Sequence, residues 1–131
     1  MNLKGLLNEK GYSIVASNGY SSFERGIMPI MTALNEDLHF FEGLSVADKI
    51  IGKASAMLLC LSGVKEVYTP TLSRTGKEVF DRYGVVYECD ELTEMIVNRK
   101  GDGMCPMELT VKDIDDLNEA YEALKKKLAL L

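Results

Sequence analysis

The feature that most constrains the fold is the apolar run from Ser45 to Gly63, SVADKIIGKASAMLLCLSG. At about 100° per residue its apolar side chains form one broad face, and in the second half they surround the axis. Ser45 and Asp48 match a capping-box spacing, and glycine at the other end is typical of a left-handed helix terminus. A helix that is apolar all round is buried. We therefore predict a central helix over residues 45–62, with its second half inside the domain.

The segments around this run predict an α/β fold. Asn18-Gly19 is a strong hairpin signal between two short strand patterns, and the sequence after Gly63 alternates strand and helix patterns. A hairpin followed by alternating elements favours a two- or three-layer α/β sandwich, with all of residues 1–131 in one domain. The other predicted strands lie at 12–17, 20–23, 64–72, 85–87 and 94–98. The other predicted helices lie at 2–10, at 27–34 and from Thr75 to Tyr83, and a last helix starts at Asp115 or Asp116.

Composition narrows the classes of function. The formal net charge of −5 argues against a general nucleic-acid binder, which usually has a basic surface. No window approaches the roughly 18 apolar residues of a membrane span, and the first residues lack the apolar core of a signal peptide. The 3 cysteines are widely spaced, which does not suggest a disulfide framework. We expect a cytoplasmic protein, and the sequence leaves open a homo-oligomer.

The candidate ligand site combines predicted helix N-termini with a glycine-rich loop. In α/β folds, ligands usually bind beyond the carboxyl ends of strands, where backbone amides and helix dipoles favour anions. We expect a small anionic ligand, a nucleotide or phosphorylated metabolite, at the N-terminus of the central helix, and no cofactor. The candidate residues are Asp48, Lys49, Gly52, Lys53, Arg74, Asn98, Arg99, Gly101, Gly103, Cys105 and Glu108.

Cys105 is the candidate catalytic residue. Pro106 suits the first position of a helix, which would place Cys105 at the N-cap, where a cysteine pKa can fall well below its ordinary value. The alternative is a small structural cap. Three functions thus stay open at this point: a binding domain, an interaction module without a ligand, and an enzyme that depends on Cys105.

Three blocks of sequence resemble an uncharacterised prokaryotic family whose fold is similar to that of cytidine deaminases. They are Arg25-Gly26 with Pro29, Val46 to Ala54, and Asn98-Arg99 with Gly101, Gly103 and Cys105 to Glu108. The resemblance spans about residues 10 to 110. It implies a mixed-sheet α/β/α sandwich of cytidine-deaminase-like type, opened by the hairpin, and no established activity.

The zinc ligands of true deaminases are missing from these blocks. Those enzymes hold zinc with a His or Cys at the start of the central helix and a Cys-x-x-Cys at the start of the next helix. The chain has one histidine, His39, and no Cys-x-x-Cys. Because zinc sites draw mainly on thiolate and imidazole, we predict no metal site and no zinc-dependent deamination.

This absence of a zinc site can be tested by metal analysis. Protein purified without a metal-affinity step should carry far less than one equivalent of zinc. A full equivalent that is lost on changing Cys60 or Cys105 to serine would contradict the prediction.

Overall fold

The computed structural model describes residues 2–98 and 100–130, which form six helices and a six-stranded mixed sheet. The helices are α1 Leu3–Lys10, α2 Met28–Glu36, α3 Lys53–Ser62, α4 Arg74–Tyr83, α5 Pro106–Val111 and α6 Leu117–Ala129. The strands are β1 Ile14–Ala16, β2 Ser21–Ser22, β3 Ser45–Asp48, β4 Ile50–Ile51, β5 Glu66–Ser73 and β6 Val86–Thr93. The mixed α/β class expected from the sequence is confirmed.

β5 is the central strand of the sheet. It pairs in parallel with β3 and then β4 along one edge, and with β6 along the other. β1 joins the far side of β3 in antiparallel sense, and β2 completes the predicted hairpin. The turn is as expected: Gly19 has a φ of 94°, and the Asn18 Oδ1 accepts the Tyr20 amide at 3.0 Å. The four parallel strands therefore all end at one edge of the sheet.

The prediction of one helix over residues 45–62 is wrong in its first half. Residues 45–48 and 50–51 form β3 and β4, and the helix begins only at Lys53, after Gly52 in an extended conformation. The proposed capping box is therefore absent, because Ser45 and Asp48 both lie in a strand. The other end is as predicted: Gly63 has a φ of 86° and ends α3.

The physical reason is that strand pairing on both sides outweighs helical periodicity here. Val46 and Ala47 pair with β1 on one side and with β5 on the other. A strand buried on both faces is an almost continuous apolar run, which periodicity alone does not distinguish from a buried helix. The two strands are separated by Lys49, where the Asp48 Oδ1 accepts the amide of Ile50 at 3.4 Å.

The two faces of the sheet carry unequal cores. Alternate residues of the strands, such as Val46 and Val67, face a large cluster built with α2 to α6. The intervening residues Val15 and Ala47 face a small cluster built with α1 through Leu7. The second face thus has one short helix, which packs over β1 and β3.

The ends of α4 and α6 show how local sequence sets helix boundaries. α4 begins at Arg74, one residue before the predicted Thr75, because the Ser73 Oγ accepts the Gly76 amide at 3.0 Å. α6 is capped by Asp116, as expected. None of the helices among the described residues combines the length and apolarity needed to cross a membrane.

Candidate functional site

The candidate site lies where β4, β5 and β6 end. α3 follows β4 directly, α4 follows β5 directly, and a loop leads from β6 to α5. Backbone amides in the first turn of a helix lack intrahelical partners and carry partial positive charge. This edge is therefore where the fold gathers amide donors that need partners from outside their own helix.

Gly52 and Gly76 allow the N-termini of α3 and α4 to approach each other. A Cβ atom at Gly76 would lie 3.1 Å from the carbonyl oxygen of Gly52, closer than side chains ordinarily pack. The backbone of Gly52 is extended, so any residue could adopt its conformation. Its requirement for glycine comes from its neighbours rather than from its φ and ψ.

The most crowding neighbour of Gly52 is Glu108. A Cβ atom at position 52 would stand 2.2 Å from the Glu108 Oε1 and 2.8 Å from the Cγ1 of Ile96. The Glu108 side chain reaches the start of α3 and accepts the amides of Lys53 and Ala54, each at 2.7 Å. The N-terminus of α3 is thus capped by a carboxylate from 54 residues further along the chain.

The charge state of Glu108 reflects opposing effects. Burial raises the pKa of its carboxyl group, while the two amide hydrogen bonds and the positive charge of Lys53 act to lower it. The residue is 8% exposed. The first two amides of α3 therefore already bind an anionic group that belongs to the protein itself.

Lys53 completes a reciprocal contact between α3 and α5. Its Nζ donates to the carbonyl oxygen of Lys112, the C-cap of α5, at 3.0 Å. A cation at a helix C-terminus and a carboxylate at a helix N-terminus are both favourable to the helix dipole. α5 is consequently held against α3 through Glu108 near one end and Lys112 at the other.

Asp48 is a buried carboxyl group at the end of β3. It is 6% exposed, and burial raises its pKa to about 8, against the weaker opposing effect of hydrogen bonds from the amides of Ile50 and Lys49. Its nearest polar partners are backbone groups, and no ion pair to it is formed by the residues that the structure describes. The protonated, uncharged form therefore dominates at neutral pH.

The three described cations of the predicted site are directed to different partners. Lys49 Nζ donates to the carbonyl oxygen of Gly11 at 3.4 Å, at the end of α1. Lys53 reaches α5, and the guanidinium of Arg74 forms an exposed ion pair with Glu94. Gly52, Lys53 and Glu108 are in direct contact, whereas Lys49 points away from them.

The glycine-rich loop closes on itself. Asn98 donates from its amide to the Gly103 carbonyl oxygen at 2.8 Å and from its side chain to Asp102 at 2.8 Å. Gly101 has a φ of 74°, which makes glycine favourable there. Arg99, also a candidate ligand residue, lies outside the described residues.

Cys105 occupies the N-cap of α5, with Pro106 at the first helical position, as predicted. Its amide donates to the Ile96 carbonyl oxygen at 2.9 Å, and its side chain makes no capping hydrogen bond. All three cysteines are free thiols. Within the described part of the chain, no three His, Cys, Asp or Glu side chains cluster in a way that could hold a metal ion.

The sequence indicated Glu108 and the region of Ser73 but not what either residue does, and Ile96 was missed altogether. Ser73 precedes α4 at a spacing that suits a cap, so this signal was available in the sequence. The contacts of Glu108 and Ile96 with Gly52 join distant segments, and no local pattern in the sequence indicates them.

The comparisons with known proteins place the chain in a family. A family model described as a domain of unknown function, DUF1893, matches residues 2–128, and the chain belongs to this family. The crystal structure of a DUF1893 family protein from Thermotoga maritima, TM1506, is similar, with a TM-score of 0.87 and 26% sequence identity. The match covers 95% of this chain and 86% of that chain. No curated protein matches the chain.

Gly52→Ala tests the contact with Glu108. We expect it to destabilise the fold by about 1–3 kcal/mol, because the new methyl group must displace the Glu108 carboxylate and Ile96. Gly103→Ala is the matched control, since a Cβ atom there has one neighbour, the Asn98 Nδ2 at 3.7 Å. Urea unfolding measures the free energy of unfolding of both variants and of the wild type.

Combining Gly52→Ala with Glu108→Ala identifies the source of the strain. Neighbouring substitutions are not additive when they share a contact. The cost of Gly52→Ala should therefore shrink in the Glu108→Ala background. An unchanged cost would show that Glu108 is not what excludes a side chain at position 52.

The raised pKa of Asp48 predicts that the free energy of unfolding falls as the pH rises. Below about pH 4 the carboxyl is protonated in both states. Between about pH 4 and 8 the folded state keeps a proton that the unfolded state releases, so the free energy of unfolding decreases, at most by about 1.4 kcal/mol per pH unit. Asp48→Asn mimics the neutral acid and should flatten this slope.

The measurement is urea unfolding at several pH values between 4 and 8, taken as the difference between the wild type and each variant. Glu108 contributes a slope of the same sign, so the difference isolates Asp48. Asp113→Asn, at an exposed position, is the matched control. If Asp48→Asn and Asp113→Asn left the same slope as the wild type, Asp48 would not be protonated in the folded state.

Proposed function

We propose that this member of the DUF1893 family binds a small anionic molecule, a nucleotide or a phosphorylated metabolite, at the N-terminus of α3. Glu108 occupies the anion position until the ligand takes its place. In this proposal the site is formed by Gly52, Lys53, Arg74 and Glu108, and the adjoining loop between Asn98 and Cys105 forms one wall of it.

The observation that carries the proposal is the position of the Glu108 carboxylate. Two oxygens accept two consecutive amides at the start of α3, each at 2.7 Å. Phosphate and carboxylate ligands bind to helix N-termini through the same donors. The contact therefore supports an anion site of the right geometry, with an internal carboxylate standing where a ligand oxygen pair would be.

Two properties of Glu108 favour an exchange. Burial raises the pKa of its carboxyl group, so the cost of protonating and releasing it is smaller than for an exposed glutamate. The residue also lies on α5, a six-residue helix that follows the self-contained glycine loop. Rotation of one side chain, or a small displacement of α5, would free the two amides.

Lys53 is the cation assigned to the ligand. Its charge already acts on the Glu108 carboxyl group, and its side chain is 13% exposed, which limits screening by water. Asp48 is uncharged at neutral pH in this proposal and does not repel the ligand. Lys49 faces the end of α1 and takes no direct part.

We also infer that the fold is of the cytidine-deaminase-like type, without its zinc chemistry. The starts of α3 and α4 correspond to the two places where those enzymes hold zinc. In this chain they carry Gly52-Lys53 and Ser73-Arg74, which offer neither thiolate nor imidazole. The donor set at this edge suits an anion rather than a zinc ion.

The alternative is a structural or interaction module, and the same contact favours it. Gly52 and Glu108 fit each other closely, so Glu108 could serve only to fasten α5 to α3. The two functions differ in how the protein responds to anions once Glu108 has lost its charge.

The variant Glu108→Gln distinguishes the anion-binding function from the structural module in a thermal-shift experiment with ATP, glucose 6-phosphate and inorganic phosphate. The variant without ligand should melt at a lower temperature, because a charge-assisted helix cap is lost. Its stabilisation by at least one of the anions should exceed that of the wild type, because the internal competitor is weakened. Binding at 100 times the Kd would add about 2.7 kcal/mol.

Lys53→Ala and Lys49→Ala form the matched pair of control variants. Each removes one positive charge, but of the two lysines only Lys53 has a charge that acts on the Glu108 carboxyl group. Only Lys53→Ala should therefore reduce the thermal shift, measured for each variant from its own ligand-free melting temperature. Loss of stability in Glu108→Gln with no response to any of the three anions would contradict the proposal and support the structural module.

A further inference from the structure

β6 leaves one long edge of the sheet open. It has eight residues, Val86–Thr93, and among the described residues it pairs only with β5. An unpaired strand edge presents backbone donors and acceptors that can bind another strand. Val86 to Glu88 pair with the first residues of β5, at the opposite end of the parallel strands from the N-terminus of α3, so a function located there is separate from the anion site.

The sheet face beside this edge is uncovered and acidic. α1 packs over β1 and β3 and leaves the β6 part of that face to solvent, where Val86 is 68% exposed. A groove of about 490 Å³ opens there, with Glu66, Tyr68, Val86 and Glu88 among its lining residues. β6 itself carries three acidic residues and no basic one.

The chain's own Lys4 shows that this face binds an ammonium group. Its Nζ lies 3.3 Å from the Glu88 Oε2, 3.8 Å from the Asp90 Oδ1 and 4.8 Å from the centre of the Tyr68 ring. The Tyr68 hydroxyl in turn donates to the Asp90 Oδ2 at 2.6 Å. Two carboxylates and an aromatic face around one cation are the chemistry that recognises lysine and arginine side chains.

We propose that the outer edge of β6 binds an extended, lysine- or arginine-bearing segment of a partner protein, which adds as a further strand of the sheet. Its backbone would pair with β6, and alternate cationic side chains would meet Glu88 and Asp90 beside the groove. Strand addition of this kind takes affinity from main-chain hydrogen bonds and specificity from alternate side chains.

The negative charge along β6 favours a cationic segment of a partner protein over a second copy of the chain. Two β6 edges placed side by side would bring the carboxylates of Glu88 and Asp90 in one copy close to those in the other, and like charges facing each other across strands are destabilising. A cationic segment removes that repulsion and neutralises the face.

The test is a titration of the full-length, isotope-labelled chain with a peptide of alternating lysine and valine, as long as β6. Amide resonances from Val86 to Thr93 should shift, and the same amides should gain protection from hydrogen exchange. A peptide of alternating glutamate and valine should not bind. A peptide of alternating lysine and proline should bind much more weakly, since proline lacks the donor that a strand ladder needs.

Two pairs of variants test whether the peptide binds beside Glu88 and Asp90. Glu88→Lys should raise the peptide Kd about tenfold through like-charge repulsion, whereas Glu78→Lys, at an exposed position on α4, should change it little. Lys4→Ala should lower the Kd several-fold, because it removes the internal competitor from Glu88 and Asp90. Lys10→Ala removes one positive charge from the same helix but frees neither Glu88 nor Asp90, so it should not lower the Kd.

Several outcomes would overturn the proposal: no binding, equal binding of the proline peptide, or resonance shifts spread over the surface. Equal weakening by Glu88→Lys and Glu78→Lys would show attraction to net charge alone and would also overturn it. Circular dichroism checks that each variant is folded, and Glu88→Gln, which introduces no new charge, should weaken binding in the same direction.

Discussion

The structure at the carboxyl edge depends on the hydrogen bonds between the Glu108 carboxylate and the first amides of α3. They satisfy donors that would otherwise be free at a buried helix start, and they fix where α5 packs. Lys53 returns the contact by binding the C-cap of α5. Gly52 is the glycine that this arrangement requires, since a larger residue would occupy the space of the carboxylate.

Several polar side chains are buried near this edge of the sheet. Asp48, Ser73 and Glu108 are buried where the strands end and the helices begin. Asp48 and Ser73 accept backbone amides of Ile50 and Gly76, which follow them closely in the chain, whereas Glu108 accepts the first amides of α3. Burial without a cation is the physical reason that Asp48 keeps its proton, and it ties stability to pH.

The carboxyl edge of the sheet and the side formed by β6 present opposite charge environments. At the carboxyl edge, helix N-termini and Lys53 create a positive potential that an internal glutamate partly neutralises. Along β6 and the uncovered face, carboxylates dominate, and an internal lysine, Lys4, partly neutralises them. At both places the chain supplies a side chain of the charge that an external partner would have, which is why each internal group serves as a model for its ligand in our proposals.

Four features follow from local sequence, because they depend on neighbours within a few residues: the α/β class, the hairpin at Asn18-Gly19, the glycine ends of α3 and α4, and the N-cap positions of α5 and α6. The sequence also marked most of the residues now found near the start of α3. Contacts across the sheet make residues 45–48 and 50–51 strands, since pairing with β1 and β5 outweighs a helical pattern. Tertiary structure also decided that Glu108 fills the helix N-terminus and that Lys49 turns away, because contacts between segments far apart in the chain have no periodicity to reveal them.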